Sequence, residues 1–158
     1  MKPQLAEAPH YTATQWREAI ISAASELARV ALSYPSASAC EQASLTAEAS
    51  AQIALVGRPS YSLSLAASNA GCAALATAVL GMDIAGFPAQ VVADALGELV
   101  NMLAGGVKRR LPGGTELELG LPVYSTGVPQ PSDRQSTVVV PLQIGPVEVC
   151  VMVIGPKF

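Results

Sequence analysis

Apolar residues recur every three or four positions in three stretches of the chain, which is the spacing of one buried helix face. The first stretch predicts a helix from about 14 to 32, which Thr12 or Thr14 can cap. The second predicts a helix that Ser68 or Asn69 caps and that Gly81 ends. In the third, Pro88 suits the first turn of a helix that continues to about residue 111.

Shorter runs of β-branched and apolar residues predict strands. They cover residues 52–56, 61–66, 116–121, 137–144 and 147–154. The first two are separated by Gly57-Arg58-Pro59-Ser60 and predict a hairpin. Leu63 and Leu65 alternate with Ser62 and Ser64, so that strand should have one apolar and one polar face. The last run is apolar on both faces, which places it in the middle of a sheet or in a subunit interface.

This order of elements predicts the α+β class, with a largely antiparallel sheet covered by helices. The length of 158 residues suits one domain with a sizeable core. We therefore interpret residues 1–158 as a single domain, with an N-terminal helix at about 14–32 and a core at about 52–154.

Composition narrows the class further. The chain is 51% hydrophobic, with a mean hydropathy of +0.40, but no run approaches the ~18 uninterrupted apolar residues of a membrane span. Lys2, Pro3 and Glu7 stand where a secretory signal would have an apolar segment, so we expect a cytoplasmic protein without membrane insertion. A net charge of −3 argues against nucleic-acid binding.

The cysteines and the histidine offer little for catalysis or metal binding. Three widely spaced cysteines, Cys40, Cys72 and Cys150, fit reduced thiols, and the last two lie in apolar patterns typical of a core. The single histidine, His10, leaves almost no material for a zinc site or a Ser-His-Asp triad. No nucleotide-binding pattern is present, so we expect no cofactor on this chain.

The third helix carries the candidate chemistry. At 100° per residue Asp94, Glu98, Asn101 and Gly105 fall in one stripe, opposite an apolar stripe. Glu98 and Asn101 are neighbours on the helix surface and could engage one partner together. Gly97 and Gly105 each lower the stability of the helix by about 1 kcal/mol relative to alanine in its interior. These glycines serve either close helix packing or the approach of a partner's backbone beside the acid–amide pair.

Charged residues near this pair have two interpretations as well. Lys108, Arg109 and Arg110 complement the helix dipole at its last turn, and alternatively dock an acidic partner. Asp94 stabilises the early helix as a solvated acid, or forms part of the same docking surface.

These residues carry a family resemblance. Asp94-Ala-Leu-Gly-Glu98-Leu-Val-Asn101-Met-Leu-Ala-Gly105, preceded by Leu80-Gly81-Met82 and followed by Lys108, Leu111, Pro122 and Gly127, resembles the CheX branch of the CheC/CheX/FliY chemotaxis phosphatases. Glu-x-x-Asn alone is a weak pattern, and its longer context makes it much more specific. The resemblance covers the chain from about Gln52 onward.

The resemblance implies a phosphatase that acts on the aspartyl phosphate of a CheY-type response regulator. In that role Asn101 would orient the attacking water and Glu98 would engage the regulator's active-site lysine. Mg²⁺ would arrive with the regulator. Asp94, Gly97, Gly105 and Arg109 become candidate docking residues.

The chain also departs from the family pattern. Gly106 stands where an asparagine is common, and the segment before Gln52 shows little resemblance beyond a helix. One Glu-x-x-Asn element, where CheC proteins carry two, indicates the CheX type. The resemblance implies a homodimer formed by pairing or exchanging strands, and the 147–154 strand would suit its interface. The alternative function is a non-catalytic module that docks a regulator or another signalling partner.

Overall fold

The structure, a computed structural model, describes residues 10–40 and 46–158. The chain order is α1, three strands, α2, α3 and four strands. The bounds are α1 Ala13–Val30, β1 Ala37–Ala39, β2 Ala49–Val56, β3 Tyr61–Ala67, α2 Asn69–Leu80, α3 Ala89–Arg110, β4 Glu118–Leu119, β5 Val123–Thr126, β6 Gln135–Ile144 and β7 Val147–Pro156. The observed α+β architecture, with an antiparallel sheet, confirms the predicted fold class.

All seven strands form one antiparallel sheet in the order β1-β6-β7-β3-β2-β4. The outer edge of β2 is shared, because β4 pairs with its last two residues and β5 with its first four. The 52–56 and 61–66 runs do form a hairpin, β2–β3, and β2 begins three residues earlier than predicted.

The ends of the helices follow local side-chain chemistry. The Thr12 hydroxyl accepts from the Gln15 N–H and the Gln15 side chain accepts from the Thr12 N–H, so Thr12 and not Thr14 caps α1. The Ser68 hydroxyl caps α2, and Gly81 ends it at φ +68°, a backbone conformation that glycine adopts without strain. Pro88 is the residue that precedes α3.

One apolar core joins the helices to the sheet. It takes alternate side chains of the central strands, such as Leu63, Leu65 and Val151, together with the buried faces of α1 and α3. Trp16 of α1 is wholly buried and makes edge contacts with Tyr11 and Tyr61. The N-terminal helix, the least family-like part of the sequence, is therefore built into the same core as the rest.

Several predicted details were wrong. β1 and β5 were not predicted, and the 116–121 run forms only the two-residue β4. The alternation in β3 does not give a solvated polar face, since Ser64 is wholly buried between Gln52 of β2 and Met152 of β7. Cys150 is only half-buried, whereas Cys72 is a core residue as predicted.

The doubly apolar run at 147–154 lies in the middle of the sheet, as one of its two interpretations predicted. β7 pairs with β6 along its whole length and with β3 over Cys150–Ile154. The centre of β7 is therefore hydrogen-bonded on both sides within the chain, so a second copy could pair with this part only by exchanging strands. The dimer itself stays a prediction. Among the described residues no helix is long and apolar enough to span a bilayer. The residues 1–9 used for the leader prediction lie outside the described part.

Candidate functional site

Helix α3 presents the candidate residues because one of its faces is packed and the other is open. Leu96, Leu99, Leu103 and Val107 are buried in the core, on the stripe that the sequence predicted. Asp94 and Glu98 are exposed and Asn101 is half-buried, on the opposite stripe. The long helix fixes the backbone positions of this stripe through its internal hydrogen bonds.

Glu98 and Asn101 have no hydrogen bond or ion pair with any residue that the structure describes. Both side chains stand one turn apart on the surface, so their polar atoms are available to an external partner. An unpaired carboxylate can accept from a cationic or N–H donor, and an amide can donate and accept together. The arrangement can therefore bind and orient a small polar molecule or group held by another protein.

The other candidates on this stripe differ in their contacts. Asp94 accepts a 2.7 Å hydrogen bond from the Gln90 side chain one turn earlier, which is a local helix contact. Gly105 is open, since a Cβ there would meet only the Arg109 guanidinium, at 3.6 Å. Gly97 is buried, and a Cβ there would lie 3.4 Å from Pro122. The packing interpretation is thus favoured at Gly97, while Gly105 leaves space for a partner.

The basic residues at the end of α3 are used unequally. The Lys108 ammonium donates to the Leu117 carbonyl, and Arg110 donates to the Glu26 carboxylate at 2.6 Å and to the Ser22 hydroxyl at 2.8 Å. The Arg109 side chain is 61% exposed and lies 3.9 Å from Glu26. Arg109 is therefore the member of this cluster that is free to reach a partner, while the other two join α3 to neighbouring segments.

Gly106, which stands where an asparagine is common in the family, lies at the contact between α1 and α3. A Cβ at this buried position would lie 3.1 Å from the Cβ of Ala23 on α1. The missing side chain lets α1 and α3 approach closely, beside a surface hollow lined by Glu26, Met102 and Arg109. The asparagine common in the family would not fit here without moving α1.

A second segment beside the site was not predicted as functional. Pro122 packs on α3 at Gly97, one turn before Asn101, and Leu121 next to it is 88% exposed. The sequence identifies Pro122 only through the family resemblance. The available signal was Gly120-Leu121-Pro122, at the end of the predicted 116–121 strand, but it does not reveal which helix the segment contacts.

Thiol and metal chemistry find no support. Burial raises the pKa of the Cys72 thiol and of the Cys150 thiol, which disfavours the reactive thiolate. Within residues 10–40 and 46–158, no group of three or more His, Cys, Asp or Glu side chains is placed to hold a metal ion.

The structure thus presents the acid–amide pair on an open helix face, with no partner among the described residues. Residues 49–143 match the family model described as chemotaxis phosphatase CheX. The chain belongs to the CheX family, which confirms the resemblance. No curated protein sequence matches it.

Solved structures share the fold at low sequence identity. CheX from Vibrio vulnificus superposes with a TM-score of 0.72 at 18% identity, covering 94% of this chain and all of the other. CheX from Desulfovibrio desulfuricans gives 0.70 at 17% identity, over 89% of this chain and 99% of the other. The CheX–CheY–BeF₃–Mg²⁺ complex from Borrelia burgdorferi gives 0.64 at 15% identity, over 90% and 98%.

Proposed function

We propose that this protein hydrolyses the aspartyl phosphate of a CheY-type response regulator. The main observation in support is the pair Glu98 and Asn101. These residues lie one turn apart on the exposed face of α3, with no partner among the described residues. Membership of a family of chemotaxis phosphatases supports the reaction class. The CheX–CheY complex of the Borrelia relative supports a receiver domain as the partner.

In the proposed reaction Asn101 holds the attacking water in line with the phosphorus. The water oxygen forms a bond to phosphorus, the bond from phosphorus to the aspartyl oxygen breaks, and the products are inorganic phosphate and the regulator's carboxylate. Such transfers gain mainly from positioning and electrostatic stabilisation. A half-buried amide on a rigid helix suits this task, because it loses little side-chain entropy and does not titrate.

Glu98 has a separate role in the proposal. Its carboxylate accepts a charge-assisted hydrogen bond from the regulator's active-site lysine, which aligns the two proteins. Mg²⁺ belongs to the regulator, as the name of the Borrelia complex suggests, and supplies charge neutralisation at the phosphoryl group. Asp94, Gly105 and Arg109 extend the contact surface along the same face of α3.

Two further parts of the proposal are expectations, one from the sequence and one from the family resemblance. We place the protein in the cytoplasm with its regulator, and we expect a homodimer. Because the centre of β7 is already paired on both edges, a dimer through this strand would exchange strands, whereas a dimer by simple pairing would use another edge of the sheet.

The test is the decay of phosphorylated response regulators from the same cell, with wild type and with Asn101→Ala. We expect wild type to accelerate the decay of one regulator, and Asn101→Ala to lose about 100-fold or more of that acceleration because the water is no longer held. Asn69→Ala is the control, since Asn69 is the only other asparagine and lies exposed at the start of α2, where its side chain donates to the Glu48 carboxylate at 2.7 Å.

The outcomes separate the two functions. Equal loss in both asparagine variants would contradict the role of Asn101. If wild type binds a phosphorylated regulator without accelerating its decay, the protein is the non-catalytic docking module.

A further inference from the structure

Leu121 is the most exposed large apolar side chain in the described part of the protein, at 88%. It lies between β4 and β5, which both pair with the edge of β2. Single exposed apolar residues are common on protein surfaces and need no special explanation. The case for Leu121 therefore depends on how it is held and on what it lies beside.

The segment that carries Leu121 is fixed on both sides. Leu119 pairs with Leu55 and Val123 pairs with Gln52, so Gly120–Pro122 stand opposite only two residues of β2. The Gly120 N–H donates to the Ala54 carbonyl at 2.9 Å. One extra residue in a strand is the geometry of a β-bulge, which redirects side chains and is frequent next to active sites.

Pro122 brings this bulge to the acid–amide pair. Its ring packs on α3 at Gly97, where a Cβ would be 3.4 Å from the Pro122 Cβ. Gly97 immediately precedes Glu98 and lies one helical turn before Asn101. Leu121 is thus joined directly to a residue that contacts α3 next to the candidate pair.

We propose that Leu121 is an apolar anchor that contacts the receiver domain beside its phosphorylated aspartate. This inference rests on the proposed function and deepens it by naming a residue that determines partner recognition. The observations that carry it are the exposed side chain, the fixed bulge and the Pro122–Gly97 contact. Removing an exposed leucine side chain from water on binding is favourable, and the side chain takes no part in the chemistry.

The experiment makes two kinds of measurement on Leu121→Asp, Leu121→Ala and wild type. The first is the Kd for the regulator loaded with beryllofluoride and Mg²⁺, and the second is kcat and KM for its phosphorylated form. Val139→Asp is the control, because Val139 is 47% exposed and its neighbours Val138 and Val140 are the residues of β6 that face the core. Thermal unfolding and sedimentation check that each variant is folded and unchanged in oligomeric state.

We expect Leu121→Asp to raise the Kd and KM about tenfold or more, Leu121→Ala to raise them less, and kcat to stay at the wild-type value. Val139→Asp should match wild type. An unchanged Kd in Leu121→Asp would overturn the anchor while leaving the proposed function intact, provided that Asn101→Ala still loses turnover.

Other results point elsewhere. A change of oligomeric state in Leu121→Asp, without the regulator, would assign Leu121 to contacts between copies of this chain and overturn the anchor. If wild type binds the loaded regulator but does not hydrolyse its phosphorylated form, the phosphatase proposal fails while the Kd still tests Leu121. If wild type binds no loaded regulator, both proposals are wrong.

Discussion

Glu98 and Asn101 were identified from sequence because their relationship is local. Two residues three apart on one helix share a face whatever the rest of the chain does. The opposite apolar stripe fixed which face is buried, and the structure leaves both side chains without a partner among the described residues. Their catalytic roles remain predictions.

Glu98→Gln separates charge from shape at this position. The amide keeps the size of the carboxylate but loses the charge-assisted hydrogen bond to the regulator, which is worth about 1.5–3 kcal/mol. We expect kcat/KM to fall by about tenfold to 100-fold. The measurement is regulator dephosphorylation over a range of regulator concentrations at low and at moderate salt.

The matched control for this substitution is Glu18→Gln. Glu18 is exposed on α1 and has no hydrogen bond or ion pair with another described residue. Wild-type kcat/KM in Glu98→Gln would show that the carboxylate contributes nothing to the encounter or to turnover.

Adjacent glycines in α3 allow stability and function to be distinguished at single positions. Gly105→Ala should raise the free energy of unfolding by about 1 kcal/mol, because the helix gains an alanine and the new Cβ meets only the Arg109 side chain. Gly106→Ala should raise the free energy of unfolding by less, or lower it, because the new Cβ would lie too close to Ala23. Urea unfolding measures both.

The same two variants test whether Gly105 faces the regulator. If the partner approaches this position closely, Gly105→Ala lowers kcat/KM even though the protein is more stable. A Gly105→Ala protein with gained stability and unchanged kcat/KM would remove Gly105 from the docking surface.

At the scale of elements, the sequence predicted the helices and strands whose pattern of apolar residues lies within the element itself. α1 and α3 have long periodic patterns, α1 and α2 have side-chain caps, and β6 and β7 are long apolar runs. β1 and β5 are short and contain alanine, serine and threonine, and they exist because β6 and β2 offer them edges to pair with. The predicted 116–121 strand is shortened at both ends, because Glu116 belongs to a 3-10 helix at Gly114–Glu116 and the residues from Gly120 onward form the bulge.

The cap of α1 was left open between Thr12 and Thr14, and the structure supports a direct test. Thr12→Ala removes the acceptor for the Gln15 N–H and should lower the free energy of unfolding by about 1 kcal/mol. Thr14→Ala is the control and should stay within about 0.5 kcal/mol of wild type, because Thr14 is exposed inside the first turn. Equal effects of the two changes would mean that the capping box does not stabilise the helix.

At the scale of the whole molecule, the sequence could not show which segments meet. The Pro122–Gly97 contact and the packing of Gly106 on Ala23 join positions far apart in the chain, and no pattern within either segment encodes the partner. The same holds for Arg110, which the helix-dipole argument explained locally but which also ties α3 to α1 through Glu26. The site was therefore predictable as a stripe on a helix, but not as a surface built from α1, α3 and the bulge.

The Glu26–Arg110 contact makes the docking of α1 on α3 sensitive to pH. The hydrogen bond and the charge of Arg110 hold the pKa of Glu26 below its usual value in the folded protein. A carboxyl whose pKa is lower in the folded than in the unfolded state stabilises the fold above its unfolded pKa, and this contribution is lost as the pH falls through the folded pKa. Because Glu26 is well exposed, solvent and salt screening keep the effect small.

Glu26→Gln should therefore be less stable than wild type at pH 7, with the difference disappearing in acid once Glu26 of the wild type is protonated. Urea unfolding at a series of pH values from 7 to about 3 measures this convergence, and added salt should reduce the difference at pH 7. Glu18→Gln on the same helix is the control and should follow the wild-type curve throughout. A stability difference between Glu26→Gln and wild type that is the same at every pH would show that the loss comes from packing, and that the ion pair does not hold α1 on α3.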